Sequence, residues 1–302
     1  MYPALKRTEQ ETTTNQDILN RLKNKSQNWY EVYHQGYRLP CVEPPHSWCG
    51  SWSWLGCLNL DGHVRTPAEN QAFIKTFQRH CFRASCEDCA KNWISRESNK
   101  SASRIGIYEQ KTGEQSKHII VSPPHYLKNK PVSELRKLAY KVLKNVNAKG
   151  GCMVVHPFRK YEQTTFSYSS KWVWYQSIHF HVVGFGWIDN VAENYKKNGW
   201  IVKNIGIRKS NFGTIRYILS HAGIKKGSHT LTWFGDLSYS KLKVPDYVNE
   251  ERLCPYCSES LTLVLPRDTT TGEPPPEPLE CLVSGDAWFI PYYAQNEYSK
   301  NI

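Results

Sequence analysis

The clearest pattern of apolar and polar positions in the chain lies between residues 133 and 149. Apolar side chains recur there at intervals of three and four residues, which predicts an amphipathic helix. They are Leu135, Leu138, Ala139, Val142, Leu143 and Val146. Pro131 precedes the segment and Gly150 follows it, as is usual at the start and end of a helix. We therefore predict a helix over Ser133–Lys149.

Runs of β-branched and aromatic residues predict strands around this helix. The strands cover Lys117–Ser122, Gly151–Phe158, Trp172–Trp187, Trp200–Ile207 and His229–Phe234. A polar hairpin rich in Ser and Thr joins the second strand to the third. Further helical patterns cover Asn211–Ala222 and a short piece near Val191–Lys197. The order of these strands and helices predicts an α+β fold in which helices pack on an antiparallel sheet. We expect a two-layer sandwich of the ferredoxin or RNA-recognition type.

Changes in composition divide the chain into four consecutive segments. Residues 1–40 are polar and predict a flexible arm with a short helix near Gln16–Asn24. Residues 41–116 are rich in cysteine and end in a predicted helix from Glu87 to about Gln110, with Trp93, Ile94, Ile105 and Tyr108 on its buried side. Residues 117–243 form the predicted central domain. Residues 244–302 hold a last cysteine pair and a proline-rich stretch around Pro274, which we expect to be a flexible loop.

The charge balance of the chain favours a polyanionic partner. Lys and Arg number 39 against 27 Asp and Glu, which gives a net charge of +12. A basic protein gains free energy from nucleic acid because each phosphate contact releases condensed counterions. The 11 tryptophans and 18 tyrosines also suit stacking on unpaired bases.

The hydropathy of the chain predicts a cytoplasmic protein with no membrane partner. No apolar run approaches the roughly 18 residues that a membrane-spanning helix needs. Residues Met1–Lys25 are polar and lack the apolar stretch of a signal peptide.

The cysteines are grouped in a way that predicts structural Zn²⁺. Inside a cell, 10 cysteines favour metal binding over disulfides. A C-x2-C pair places two thiolates on one turn, which suits tetrahedral zinc. One predicted site uses Cys81, Cys86 and Cys89, with Cys49 or Cys57 as the fourth ligand and His80 as a weaker choice. A second uses Cys254 and Cys257, completed by Cys281, Cys41 or a histidine.

The segment His179-Phe180-His181 predicts a second kind of metal site. Residues two apart in a strand point to the same face, so both imidazoles can bind one divalent cation while Phe180 packs behind them. Such a pair is also common as incidental core or surface histidines, and it gains weight from Tyr217.

Tyr217 lies on the predicted helix Asn211–Ala222, whose apolar face is formed by Ile215, Ile218, Leu219 and Ala222. Tyr217 and His221 are four residues apart and lie side by side, away from the centre of that face. A tyrosine in this position is suited to nucleophilic attack, and His221 could position it or shuttle its proton.

These motifs resemble the HUH endonucleases, and among them the rolling-circle replication initiators of plasmids and viruses. The matching pieces are the strand His118-Ile-Ile-Val-Ser-Pro-Pro124, the pair His179 and His181, and the helix segment Arg216-Tyr217-Ile-Leu-Ser-His221. The knuckle Cys81–Cys89 followed by Lys91-Asn-Trp-Ile-Ser-Arg96 resembles archaeal plasmid initiators. The resemblance covers roughly residues 80–245.

The resemblance implies metal-dependent nicking and joining of single-stranded or hairpin origin DNA through a 5′-phosphotyrosine at Tyr217. It implies a catalytic Mn²⁺ or Mg²⁺ on His179, His181 and a third ligand. We choose His156, because its strand should pair with the strand of the two histidines, and Glu162 and Gln163 are the alternatives. The family often has a second tyrosine or a lysine where this chain has His221 and Ser220. The chain has no G-x4-G-K-[ST] loop, so a host helicase and polymerase are the expected partners.

Two other functions fit the same sequence. A single-strand transposase or a conjugative relaxase would use the same chemistry. A zinc-containing regulator would bind nucleic acid without catalysis, and the histidine pair and Tyr217 would then be structural. Formation of a covalent adduct with single-stranded DNA distinguishes the enzymes from the regulator.

Overall fold

The computed structural model describes residues 29–67, 69, 71–164, 170–245, 252–266, 287–291 and 298–300. They form two compact units, and each unit is built from two separate parts of the chain. The first unit takes its residues from Met1–Pro44 and Phe82–Val244, and the second from Pro45–Cys81 and Pro245–Ile302. The helix predicted near Gln16–Asn24 and the loop around Pro274 lie outside the described residues.

The first unit is an antiparallel five-stranded sheet with helices. Its strands are β3 (Lys117–Ser122), β4 (Gly150–Thr164), β5 (Ser170–Phe185), β6 (Ile201–Ile207) and β7 (Leu231–Gly235), arranged in the order β6-β3-β5-β4-β7. Its helices are α1 (Ala90–Thr112), α2 (Val132–Asn145), α3 (Val191–Asn198) and α4 (Asn211–Leu219). The predicted α+β class with an antiparallel sheet is confirmed. No helix in the described parts of the chain is long and apolar enough to cross a bilayer.

Element ends differ from the predicted ones where the backbone turns. Helix α2 ends at Asn145, before the predicted Lys149, because Asn147 adopts a left-handed φ of 59°. Strand β5 ends at Phe185 because Gly186 has a φ of 116°. The hairpin that we predicted as a polar loop is largely strand, paired as far as Thr164 opposite Ser170.

Helices cover both faces of this sheet, which gives three layers where the sequence predicted two. The guanidinium of Arg104 on α1 lies 5.2 Å from the centre of the Trp233 ring. The hydroxyl of Tyr140 on α2 is 2.6 Å from Oγ1 of Thr232. Neighbouring residues of a strand point to opposite faces, so α1 and α2 lie on opposite sides of β7. The added layer buries the sheet face that a two-layer sandwich would leave open.

Helix α4 is capped at its start and is held against the sheet after its end. The Ser210 hydroxyl caps its start by accepting a hydrogen bond from the amide of Gly213 at 3.0 Å. After its end, the Gly223 amide donates to the Val155 carbonyl at 2.8 Å. A Cβ on Gly223 would lie only 2.5 Å from Cδ of Pro157, so this approach requires glycine. These contacts place the turn after α4 directly beside β4.

The second unit is a separate five-stranded antiparallel sheet. Its strands are β1 (Trp52–Cys57), β2 (Gln71–Gln78), β8 (Thr262–Pro266), β9 (Ala287–Pro291) and β10 (Tyr298–Lys300), in the order β10-β8-β1-β2-β9. Strands β1 and β2 therefore pair with strands from the end of the chain. This pairing explains why the four consecutive segments predicted from sequence are not the compact units: residues 45–81 fold with the C-terminal part.

Candidate metal centres and nucleophile

Three histidines of the first unit converge on one point of the sheet. His156 on β4 lies directly opposite His179 on β5, and His181 is two residues farther along β5. Each offers one ring nitrogen, and these atoms all lie within 4.8 Å of one another. The structure thus brings together the pair and the third residue that we chose. Glu162 lies six residues farther along β4, roughly 20 Å away at the usual rise of a strand, and the Gln163 side chain is outside the described residues.

Hydrogen bonds orient two of these imidazoles. His179 donates its Nδ1 proton to the Ser177 carbonyl at 2.8 Å, which leaves a lone pair on its Nε2. His181 Nδ1 lies 2.7 Å from Nε2 of His118 on the neighbouring strand β3. When His181 donates in this pair, its own Nε2 also keeps a lone pair. Metal-binding histidines are commonly oriented by such a bond through the second ring nitrogen.

His156 differs from its neighbours because it has no orienting bond. Both of its ring nitrogens are fully buried, and neither makes a hydrogen bond among the described residues. A buried polar atom without a partner costs free energy, and a bound cation would remove that cost for one of them.

All of these imidazoles are neutral at physiological pH. Burial lowers the pKa of His179 to about 4, with a further contribution from the charge of Arg159. Burial and the charge of Arg208 lower the pKa of His118 to about 4. The pKa values of His156 and His181 lie well below the usual range, first through burial and then through the neighbouring histidines. Neutral imidazole is the form that binds a metal ion.

Tyr217 and His221 stand at the edge of this histidine cluster. The ring centres of Tyr217 and His221 are 4.9 Å apart, and those of His221 and His156 are 4.5 Å apart. Tyr217 is on α4, and His221 lies in the turn that follows it. His221 therefore bridges the tyrosine and the cluster. The predicted pairing of Tyr217 with His221 on one side of the helix is present in the structure.

His179, His181, His221 and Tyr217 line one cleft of about 390 Å³. Its other lining residues include basic and aromatic side chains that we did not predict: Arg159, Lys160, Trp29, Trp172 and Trp174. The role of His118 beside His181 was also missed. Its strand was predicted, but the pairing of His118 opposite Val183, which turns it to the same face as His181, could not be found from the sequence.

The second unit contains a cluster of three cysteines and one histidine. Its members are Cys57, His63, Cys254 and Cys257, and their ligand atoms all lie within 4.8 Å of one another. Nε2 of His63 is 3.2 Å from Sγ of Cys254, and the Sγ atoms of Cys57 and Cys257 are 3.5 Å apart. His63 Nδ1 bonds to the Gln71 carbonyl at 2.9 Å, which directs Nε2 at the thiols. A Cys₃His set of this kind could hold a structural metal such as zinc.

This cluster corrects the ligand assignments made from sequence. Cys57, which we considered for the site with Cys81, lies with Cys254 and Cys257. His63, which we did not single out, takes the fourth place. The set is complete without Cys41, and Cys281 lies outside the described residues. Strand pairing between β1 and β8 brings the two halves together across the chain, and no local spacing could reveal it.

The other predicted zinc ligands are divided between the units. Cys86 and Cys89 belong to the first unit, where both are fully buried and Cys89 is the N-cap of α1. Cys49, Cys81 and His80 belong to the second unit. The zinc site that these residues were expected to share stays a prediction.

Comparison with known proteins gives no relative from which a function could be transferred. No protein-family model, no curated protein and no solved structure matches this chain. The chemistry of the sites is therefore what indicates a function.

Proposed function

We propose that the first unit is a metal-dependent endonuclease of the HUH type, which cuts single-stranded DNA and becomes joined to it through Tyr217. One observation carries this proposal. Tyr217 lines the same cleft as His179 and His181, and His221 lies between Tyr217 and the buried His156 that completes the cluster. A nucleophile beside a site for a divalent cation is what transfer of a phosphodiester to a protein requires.

The fold of the first unit supports this proposal. Its elements follow the order β3-α2-β4-β5-α3-β6, which is the β-α-β-β-α-β order of ferredoxin-like domains. The histidine pair lies on β5, the central strand of the sheet, and α4 presents Tyr217 from outside that repeat. The RNA-recognition type and the HUH core share this arrangement.

The histidine cluster fits a divalent cation. All three imidazoles are buried and neutral, and His156 has two buried nitrogens without a hydrogen bond. Bound Mn²⁺ or Mg²⁺ would place positive charge against the phosphate oxygens where charge develops during the reaction. Nitrogen ligands favour a transition-metal ion over Mg²⁺, so Mn²⁺ is the better match.

The residues of the chain then account for each bond that changes. The Tyr217 hydroxyl gives up its proton, for which the neighbouring His221 is the proposed acceptor. The phenolate oxygen bonds to the scissile phosphorus, and the bond from phosphorus to the 3′ oxygen breaks. The 3′ oxygen takes up a proton. The DNA is left with its 5′ phosphate on Tyr217, and the free 3′-hydroxyl can prime synthesis.

This outcome is the one needed to initiate rolling-circle replication. A free 3′ end extended by a host polymerase, with strands separated by a host helicase, would displace the attached strand. We propose this role because the cysteine motifs of the chain favour an initiator over a transposase or relaxase. Transposition would use the same chemistry at the same residues.

The test is formation of a covalent adduct. Purified protein is incubated with a fluorescent pool of random-sequence single strands and Mn²⁺, then separated on a denaturing gel. We expect labelled protein for the wild type with Mn²⁺ and none without an added divalent ion. Tyr217→Phe should form no adduct while binding single strands nearly as well, because phosphate contacts dominate the affinity.

The matched control is Tyr195→Phe, which makes the same chemical change at an exposed tyrosine of α3. This variant should form the adduct as the wild type does. An adduct that persists in Tyr217→Phe would remove Tyr217 from the reaction, and its loss in Tyr195→Phe would point to that residue.

A further inference from the structure

Strands β4 and β5 continue beyond the sheet as a two-stranded arm. Strand β3 pairs with β5 only between Phe180 and Gly184. Strand β7 pairs with β4 only between Gly150 and Val154. Residues 158–164 and 170–176, which we call the β4–β5 arm, are hydrogen-bonded in the sheet only to each other among the described residues. The arm starts directly beside the histidine cluster.

The arm exposes large aromatic side chains. Tyr161 is 46% exposed, Trp172 46% and Tyr175 43%. Exposed aromatic surface contributes little to folding, and a cluster of it on an element without a core usually marks a binding surface. Stability of the fold therefore does not account for these residues.

The two faces of the arm are different. Trp172 and Trp174 alternate with Tyr175 along β5, so they point to the opposite face from it. Trp172 and Trp174 line the cleft that contains Tyr217. Tyr161 and Tyr175 contact each other on the other face, with ring centres 5.5 Å apart. Only the tryptophan face is continuous with the proposed reaction site.

The tryptophan face also carries positive charge. Nζ of Lys160 lies 4.7 Å from the centre of the Trp172 ring. Arg159 is adjacent and lines the same cleft. Glu162, which pairs directly opposite Trp172, is the one carboxylate in the described part of the arm, and Lys160 and Arg159 outnumber it. An aromatic ring beside a cation suits a ligand that presents flat rings and phosphates alternately.

The Trp174 ring is fixed in place by a second tryptophan. Its centre lies 5.3 Å from that of Trp29, and the two rings meet edge to face. Aromatic pairs of this geometry stabilise each other. The contact with Trp29 keeps Trp174 rigid next to the cleft. Trp172 lies farther out along the arm and is exposed.

We propose that the β4–β5 arm binds the unpaired DNA strand that leads to Tyr217. A base stacks on Trp172, and Lys160 contacts a neighbouring phosphate. The proposal rests on the proposed function and names the surface that selects its substrate. A duplex cannot use this surface, because its bases are already stacked and their faces are covered.

The test measures binding of a fluorescent 20-nucleotide oligothymidine by anisotropy. Trp172→Ala should weaken binding about ten-fold or more, the usual effect of removing an aromatic stacking partner. Trp172→Phe keeps a ring and should retain most of the affinity. Tyr175→Ala is the matched control, since it removes an exposed ring from the opposite face, and it should bind as the wild type does.

A second variant tests the charge independently of the ring. Lys160→Glu should lower the affinity and reduce its dependence on salt by about one phosphate contact. Wild-type affinity in Trp172→Ala would overturn the proposal whatever Lys160→Glu does, as would equal losses in Trp172→Ala and Tyr175→Ala.

Failure of the arm as a binding surface can be distinguished from failure of the proposed nuclease activity. If Trp172→Ala binds normally while Tyr217→Phe loses the adduct, the arm is not the binding surface and the nuclease proposal stands. If Trp172→Ala loses affinity but wild-type protein never forms an adduct, the arm binds single strands and the nuclease proposal fails.

Discussion

At the scale of single residues, the unusual feature is the number of histidines held without charge inside the first unit. His118, His156, His179 and His181 are all buried, and their pKa values all lie below the usual 6.5. Burial is the largest cause for each of them, because it removes the water that would stabilise an imidazolium. The arrangement keeps lone pairs available well below neutral pH.

These lowered pKa values predict that stability falls as the solution becomes acidic. Between pH 6.5 and about 4, the unfolded chain binds protons on these histidines, whereas the folded chain does not. The free energy of unfolding is therefore highest above pH 6.5. It declines as pH falls, by up to about 1.4 kcal/mol per pH unit for each histidine. Urea unfolding at pH 7 and pH 5, without added divalent ions, measures the decline.

The comparison uses two variants. His179→Gln removes one titrating group and should show a smaller loss between the two pH values than the wild type. His229→Ala, at an exposed position, should show the same loss as the wild type. Identical losses in His179→Gln and the wild type would contradict the interpretation.

At the scale of secondary-structure elements, the position of α4 decides whether Tyr217 reaches the histidines. The helix buries Ile215, Ile218 and Leu219 and is followed by the close approach of Gly223 to Pro157. Pro157 directly follows His156, so this contact ties the helix end to the strand that carries His156. A small displacement here moves Tyr217 relative to the histidine cluster.

We expect Gly223→Ala to lose most of the adduct-forming activity. The new methyl group would lie 2.5 Å from Pro157 Cδ and 3.1 Å from Cδ1 of Tyr37, so the end of α4 must shift. A misplacement of about 1 Å can cost roughly a hundred-fold in rate. The adduct assay measures activity, and urea unfolding measures stability.

Gly106→Ala is the control, because no atom lies within 4 Å of the added methyl group. It sits within α1, where alanine should raise stability by about 0.5–1 kcal/mol relative to glycine. Its adduct formation should equal that of the wild type. Full activity in Gly223→Ala would show that the contact does not position Tyr217.

At the scale of the whole molecule, the chain passes between two units, and the second is assembled from residues 45–81 and 245–302. The hydrogen-bonded thiols of Cys57 and Cys257 are 200 residues apart in sequence. The small apolar core of this unit, which includes Leu55, Phe73 and Leu261, surrounds the same cluster. A metal bound there would supply much of the stability that so small a core lacks.

We predict that purified protein contains tightly bound zinc and that His63→Ala lowers the zinc content by one equivalent per chain. His63→Cys should retain the metal, because four thiolates also form a zinc site. Cys152→Ala is the control: this thiol is buried in the first unit, and burial raises its pKa to about 12. Elemental analysis measures the zinc, and an unchanged content in His63→Ala would rule out this ligand set.

Local sequence patterns were enough to predict the secondary-structure elements and many of the reactive side chains. Alternation in β5 placed His179 and His181 on one face, and helical spacing placed Tyr217 beside His221. These predictions succeed because both periods are properties of the local backbone. The α+β class followed from the same patterns, and so did the choice of His156, through the expectation that adjacent strands pair.

Which distant residues meet is a property of the tertiary structure. The hydrogen bond between His118 and His181, the placing of Cys57 with Cys254, the role of His63 and the extent of the β4–β5 arm all depend on strand pairing. The discontinuous second unit depends on it too. Pairing register and partner are set by the burial of whole sheet faces, a property of the complete fold that no short stretch of sequence contains.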